Sequence, residues 1–136
     1  MDKVIVTDKG FASEDWTGRF CAPDRTQAIG GAVDLSANDD PAVLDGWLNG
    51  IALIRVNFSG FADGRGFTLA ARLRRMGFTG RLRARGHLIA DQYAMARRSG
   101  FDEVEISPEL ARRQPADQWL SRADWAAHDY QARLRG

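Results

Sequence analysis

The stretch IALIRVNF, residues 51–58, is the most apolar segment of the chain. It is too continuous for a strand with one face in water, so it predicts a central strand covered on both faces, as the strands of parallel sheets are. A loop punctuated by glycines, residues 59–66, follows it. Beyond that loop, Leu69, Leu73 and Met76 recur at helical spacing, which predicts a helix that packs on the sheet.

Strands and helices alternate on both sides of this segment. Short apolar or alternating runs predict three further strands, at 32–36, 81–85 and 104–106. Helical spacing, capping residues and prolines predict helices over 43–48 after Asp40-Pro41, over 88–96, and onward from Ser107-Pro108 and Pro115. The pattern predicts an α/β fold with a mostly parallel sheet of βα units. Both an open sheet and a half-barrel fit it, since strand order is not encoded in local periodicity.

The first 31 residues have a different hydrophobic pattern. Val4-Ile5-Val6 predicts a short strand, whereas no period of 2 or 3.6 persists from Lys9 to Gly31. We interpret residues 1–31 as a strand and an irregular arm or hairpin of the same domain. Residues 32–136 then form the α/β domain.

Composition excludes several classes of protein. The 136 residues carry 19 Lys and Arg against 18 Asp and Glu, a net charge of +1 that is atypical of nucleic-acid binders. One cysteine excludes an internal disulfide framework and a cysteine-rich metal cluster. The chain has no apolar run near the roughly 18 residues of a membrane span. Its first residues lack the charged and apolar regions typical of a signal peptide, so we expect none. We therefore expect a cytoplasmic protein with neither a nucleic acid nor a membrane as partner.

Two loops predict a ligand site, because ligands of parallel sheets bind outside the carboxyl ends of the strands. Residues 61–68 follow the apolar strand, and residues 83–87 end the next one. Both lead into helix N-termini, where amides favour an anion, and arginine adds a fork suited to oxyanions. The predicted anion-binding residues are Arg65, Gly66, Arg83 and Arg85. The alternative is a tight turn at Gly64 and Gly66 with a solvated Arg65.

Three residues are candidates for acid–base chemistry: Asp63, His87 and Asp91. His87 lies at a strand–helix junction close to Asp91 in sequence, so the two could form an acid–base pair. The alternative is that Asp91, in the first turn of a helix, only complements the helix dipole. Two histidines about forty residues apart do not predict a metal site. Whether the protein is an enzyme stays open at this point.

Two spaced motifs carry a family resemblance. Asp-Gly-Arg-Gly occupies 63–66, and Leu-Arg-Ala-x-Gly-x-x-x-x-Asp-Gln occupies 82–92; Gly100-Phe101-Asp102 and Tyr130-Gln131 also fit. Together they resemble the bacterial domain of unknown function nine-three-four family, whose genes commonly lie beside those of assimilatory sulfite reductase. The chain departs from the family pattern at Arg81 and His87, where acidic residues are frequent. A charge of one sign is therefore not required at those positions.

The resemblance implies a pathway, sulfate assimilation at the sulfite step, rather than a reaction. It favours a non-redox accessory protein that binds sulfite reductase, its electron donor or an anionic metabolite. No cofactor is expected, since one cysteine cannot hold an iron–sulfur cluster. The alternative is a small enzyme acting on an anionic substrate at the carboxyl edge of the sheet. An enzyme predicts a pocket where Asp63, Arg65, Arg83 and Asp91 converge, whereas an accessory protein predicts exposed aromatic side chains and no such convergence.

Overall fold

The computed structural model describes residues 3–23, 31–46, 48–60 and 64–125. Within these ranges the strands are β1 Val4–Thr7, β2 Gly10–Ser13, β3 Phe20–Cys21, β4 Ala32–Ser36, β5 Leu53–Phe58, β6 Arg81–Gly86 and β7 Glu103–Ile106. The α-helices are α1 Arg65–Arg75, α2 Tyr93–Ser99, α3 Pro108–Arg113 and α4 Ala116–Leu120. Short 3-10 helices cover Pro41–Leu44, Leu48–Gly50 and Ala90–Gln92.

All seven strands of the described residues join one sheet, in the order β2-β1-β7-β6-β5-β4-β3. Strands β3 to β7 are parallel and lie in sequence order. The hairpin of β1 and β2 continues the sheet beyond β7 in antiparallel pairing. The predicted α/β fold with a mostly parallel sheet is confirmed. Because parallel crossovers are almost always right-handed, a sequential strand order places the connecting helices on one face.

The two faces of the sheet differ sharply in chemistry. One face contributes alternate strand residues such as Ile54, Val56, Leu82 and Ala84 to the apolar core, together with residues of α1, α2 and α4. The opposite face carries the residues in between, which are largely charged, such as Arg55 on β5. Within the predicted segment 51–58, residues 53–58 therefore form a central strand covered on both faces, but the cover on one face is polar.

The polar face is crossed by a segment of the N-terminal region that we call the strap, residues 14–21. It leaves β2 at one edge of the sheet and reaches β3 at the other. Six strand spacings of a flat sheet measure about 29 Å, whereas the seven steps from Ser13 to Phe20 span at most about 25 Å. The sheet must therefore curl around the strap, as a half-barrel does.

The helix predicted over 43–48 is wrong. Asp40 does act as a cap, accepting a hydrogen bond from the Ala42 amide at 3.0 Å, but it begins a 3-10 helix of four residues. Gly46 adopts a φ of +90°, which ends helical geometry. A second 3-10 helix begins at Leu48. Trp47 lies outside the described residues.

The two C-terminal helices, α3 and α4, begin where the sequence predicts. Ser107 caps α3 by accepting from the Leu110 amide at 3.1 Å, and Pro115 precedes α4. Trp119 on α4 is buried and donates its indole N–H to the Gln114 carbonyl at 2.9 Å. The predicted continuation through Tyr130 lies outside the described residues. None of the helices described is long and apolar enough to cross a bilayer.

Candidate functional site

A pocket of about 470 Å³ lies at the carboxyl edge of β6 and β7. Gly86 lines it at the end of β6, where a φ of +117° and a distance of 2.5 Å from a Cβ to the Phe58 carbonyl oxygen require glycine. The antiparallel direction of β1 brings Lys3 to this edge. The ionisable side chains lining the pocket are Lys3, Arg85, His87, Arg113, Glu105 and Glu109.

The positively charged side chains that line this pocket outnumber the negatively charged ones. The Glu105 carboxylate is buried and already bound by Arg55 at 3.1 Å, Arg83 at 2.9 Å and Arg85 at 3.1 Å. Glu109 and Arg113 form an exposed pair one helical turn apart, at 3.6 Å. Exposed pairs of this kind contribute little and exchange readily with solvent. With Lys3, Arg85 and Arg113 against Glu105 and Glu109, the pocket wall carries an excess of one positive charge before His87 is counted.

A second pocket, of about 440 Å³, lies where β4 ends and α1 begins. Arg65, Thr68 and Arg72 of α1 line one side of it, and Asp39 and Asp40 line the other. Arg72 pairs with Asp40 at 3.6 Å. The predicted anion-binding residues Arg65 and Arg85 thus line different pockets, and the pocket of Arg65 has mixed charge.

Gly66 has a packing role that the motif alone does not reveal. It is buried, and a Cβ at this position would lie 2.2 to 2.7 Å from atoms of the Phe58 ring. The missing side chain lets the first turn of α1 rest on the last residue of β5. Gly64, by contrast, has no atom within 4 Å of the position that a Cβ would occupy.

Arg83 is completely buried on the polar face of the sheet. Its guanidinium donates to Glu14 at 2.6 and 2.9 Å, to Glu103 at 2.5 Å and to Glu105 at 2.9 Å. Burial alone would lower the pKa of Arg83, but the surrounding carboxylates raise it well above its usual range. Arg83 and Arg85 share a face while Ala84 points into the core, as strand alternation predicts.

Arg83 is the centre of a larger ion-pair network. Arg55 binds Asp34 through two hydrogen bonds, at 2.6 and 2.7 Å, and the Phe20 ring stacks 3.6 Å from its guanidinium carbon. Burial raises the pKa of Asp34, but its hydrogen bonds from Arg55 and Asn57 lower it below the ordinary value. In the described part of the chain, the network contains Lys3, Arg55, Arg81, Arg83 and Arg85 with Glu14, Asp15, Asp34, Glu103 and Glu105.

The structure separates the acid–base candidates. His87 lines the larger pocket, whereas Asp91 is exposed, binds Arg122, and lines neither pocket. Asp91 lies in the first turn of the 3-10 helix Ala90–Gln92, where its charge also complements the helix dipole. Asp63 lies outside the described residues. Among the residues described, no three His, Cys, Asp or Glu side chains are grouped to hold a metal ion.

The glutamates of the network were not predicted from the sequence. In the parallel register, Arg83 lies beside Glu103 and Arg85 beside Glu105. A signal for this pairing was present, because the alternation Arg-Leu-Arg-Ala-Arg at 81–85 is matched by Glu-Val-Glu at 103–105. Glu14 left no such signal, because its contact with Arg83 joins residues 69 positions apart.

A family model described as "Bacterial protein of unknown function (DUF934)" matches residues 32–136. The chain belongs to this family. The match confirms the resemblance carried by the motifs at 63–66 and 82–92. No curated protein and no solved structure matches the chain. The DUF934 segment contains Arg83, Arg85 and His87, whereas Lys3 and the strap precede it.

Proposed function

We propose that this DUF934 protein is a cytoplasmic, non-redox accessory protein of assimilatory sulfite reduction that binds a small anion at the carboxyl edge of its sheet. The observation that carries the proposal is the pocket lined by Lys3, Arg85, His87 and Arg113. Parallel sheets bind their ligands at this edge. The pathway comes from the family resemblance, which makes sulfite the first anion to test and sulfite reductase or its electron donor the protein that it serves.

The arrangement of charges supports binding more than catalysis. An enzyme of the kind considered needs Arg65, Arg83 and Asp91 in one pocket, but neither described pocket holds two of them. His87 shares its pocket with Glu105, whose carboxylate oxygens are already bound by Arg55, Arg83 and Arg85. A docking role predicts exposed aromatic side chains. Of the three tryptophans that the structure describes, Trp119 is buried and Trp16 and Trp125 are half-buried. The proposal therefore centres on the anion.

The pathway is tested by gene deletion. We expect the deletion strain to grow poorly on sulfate and normally on cysteine, because cysteine bypasses the reduction of sulfite. Equal growth on both sulfur sources would contradict the assignment to this pathway.

The site is tested with two neighbouring arginines of α3. Arg112 and Arg113 are both exposed, but of the two Arg113 lines the pocket. We expect Arg113→Ala to weaken sulfite binding in calorimetry by about tenfold or more, the loss of one charge-assisted hydrogen bond. Arg112→Ala should leave the affinity unchanged. Equal losses in the two variants, or no binding of sulfite to the wild-type protein, would contradict the site.

A further inference from the structure

The strap is attached to the sheet by polar contacts rather than by the core. No residue from Glu14 to Cys21 is buried. Besides the two-residue pairing of β3 with β4, its polar contacts include Glu14 with Arg83, Asp15 with Arg81 at 2.5 Å, and the Phe20 ring against Arg55. The pair of Asp15 with Arg81 is open to solvent and exchanges more easily than packed apolar side chains do. Glu14 is held more firmly, because its partner Arg83 is completely buried.

The strap also neutralises the face that it covers. The network side chains outside the strap are Lys3, Arg55, Arg81, Arg83 and Arg85 against Asp34, Glu103 and Glu105, an excess of two positive charges. Glu14 and Asp15 supply the two missing negative charges. Without the strap, the polar face is a cationic surface centred on a buried arginine.

Contacts with β7, outside the strap, orient the Arg83 guanidinium so that it can bind a carboxylate. Its Nε binds Glu103 and its Nη1 binds Glu105, both on β7, so the sheet fixes the guanidinium plane. The two Nη atoms face Glu14 and donate one hydrogen bond to each of its oxygens, at 2.6 and 2.9 Å. This two-point geometry is the one by which arginine recognises any planar carboxylate.

The closed strap leaves one polar group unsatisfied. The indole N–H of Trp16 is buried and has no hydrogen-bond partner within the described part of the chain. A buried donor without an acceptor destabilises the arrangement that buries it.

We propose that the Nη edge of Arg83 is a binding site for a small organic carboxylate, and that Glu14 occupies it as an internal substitute. A ligand carboxylate competes with Glu14, and its binding displaces the strap from the polar face. Arg83, Glu103 and Glu105 lie within the family-matched segment 32–136, and the competing strap lies outside it. This site lies on the polar face rather than in the anion pocket at the carboxyl edge, although Glu105 contacts both.

The first test uses Glu14→Ala, which removes the internal carboxylate, with acetate as the probe. We expect acetate to raise the thermal midpoint of this variant saturably, by about 3–6 °C relative to chloride at the same ionic strength. Asp15→Ala is the matched control, because it removes the adjacent carboxylate, which is 67% exposed, binds Arg81 at 2.5 Å and lies 3.9 Å from Arg83, beyond hydrogen-bond distance. Equal effects of acetate and chloride on Glu14→Ala, or equal effects of acetate on both variants, would overturn the proposal.

The second test follows the strap through Cys21, the one cysteine of the chain. Its alkylation by N-ethylmaleimide reports displacement of β3. In Glu14→Gln, which retains the shape of the side chain, we expect acetate to accelerate alkylation over chloride. In the wild-type chain the same acceleration should need far more acetate, because Glu14 competes at high effective concentration. Identical rates in acetate and chloride, or failure of both Glu14 variants to fold, would show that Glu14 is a structural ion-pair partner and overturn the proposal.

Discussion

At the scale of single residues, Arg83 shows how a charge is buried in this protein. It has no exposed surface, yet three carboxylates surround it. Ion pairs removed from water add little net stability, but removing one partner costs about 3–5 kcal/mol because the other charge is left uncompensated. Glu103 and Glu105 are themselves nearly inaccessible. The network therefore fixes the arrangement of the polar face more than it stabilises the fold.

Gly66 is a residue whose role the structure decides. We expect Gly66→Ala to lower the free energy of unfolding by about 1–3 kcal/mol, because the added methyl group overpacks the contact between α1 and β5. The ring of Phe58 lies 2.2 Å from the new Cβ and must shift with the helix. Urea unfolding at constant m-value measures the loss.

Gly64→Ala is the control for this prediction. Gly64 is exposed, adopts a φ of −67°, and has no atom within 4 Å of the new Cβ. We expect its stability to stay unchanged or to rise slightly, since alanine restricts the unfolded chain. Destabilisation by both substitutions to the same extent would instead assign the motif a role in loop conformation.

At the scale of elements, the strap should be sensitive to acid. Burial raises the pKa of Glu14, but the hydrogen bonds from Arg83 outweigh it and lower the pKa from 4.5 to about 2. A carboxyl whose pKa is lower in the folded state stabilises the protein above its unfolded pKa. That contribution is lost as the pH falls from about 4.5 to about 2.

The comparison with Glu14→Gln isolates this contribution. We expect the wild type to exceed the variant in unfolding free energy by about 3 kcal/mol at pH 6, and the difference to shrink steadily below pH 4.5. Urea titrations at pH 6, 4 and 3 measure it. A difference that stays constant over this range would mean that Arg83 does not select the ionised form of Glu14.

The hairpin of β1 and β2 is joined to the helical layer by a second polar cluster. Asp8 lies in the turn between β1 and β2. Its carboxylate accepts hydrogen bonds from the Tyr93 hydroxyl at 2.5 Å and from Arg97 at 3.1 Å, both on α2. Burial first, and then the Asp8 carboxylate, raise the pKa of Tyr93 above its usual range. The N-terminal region is thus held by the hairpin at one edge of the sheet, while the strap beyond it is held by ion pairs and by the two-residue pairing of β3 with β4.

At the scale of the whole molecule, the family-matched segment and the folded unit differ. Residues 32–136 lack β1, β2 and β3 of the seven-stranded sheet. Val6 of β1 belongs to the apolar core, and Ile5 is buried against the polar face beside Glu105. The family-matched segment therefore depends on the N-terminal region to cover β7 and Arg83.

A chain that begins at residue 32 tests this dependence. We expect it to unfold at a markedly lower temperature than the full chain and to aggregate, because β7 becomes an unprotected edge strand. Circular dichroism melts and sedimentation compare the two chains. An equal melting temperature and a monomeric state would show that residues 32–136 fold independently.

The sequence by itself determined the individual elements. The strand at 32–36 is observed with its predicted bounds, and the strands at 81–86 and 103–106 begin or end within a residue of theirs. Ser107 and Pro115 begin helices as their capping chemistry requires. These features depend on neighbours within a few positions, so local periodicity and propensity suffice to predict them. The break at Gly46 was missed because an apolar spacing continues across a glycine whose φ only the surrounding structure fixes.

Tertiary structure alone decided what those elements do together. The sequential strand order places the helices on one face and leaves a charged face for the strap. That order sends Arg65 and Arg85 to separate pockets and pairs Arg83 with Glu14 across 69 residues. The physical reason is that strand pairing and buried ion pairs join distant parts of the chain. Their free energy depends on which charges become desolvated together, and no local pattern records that.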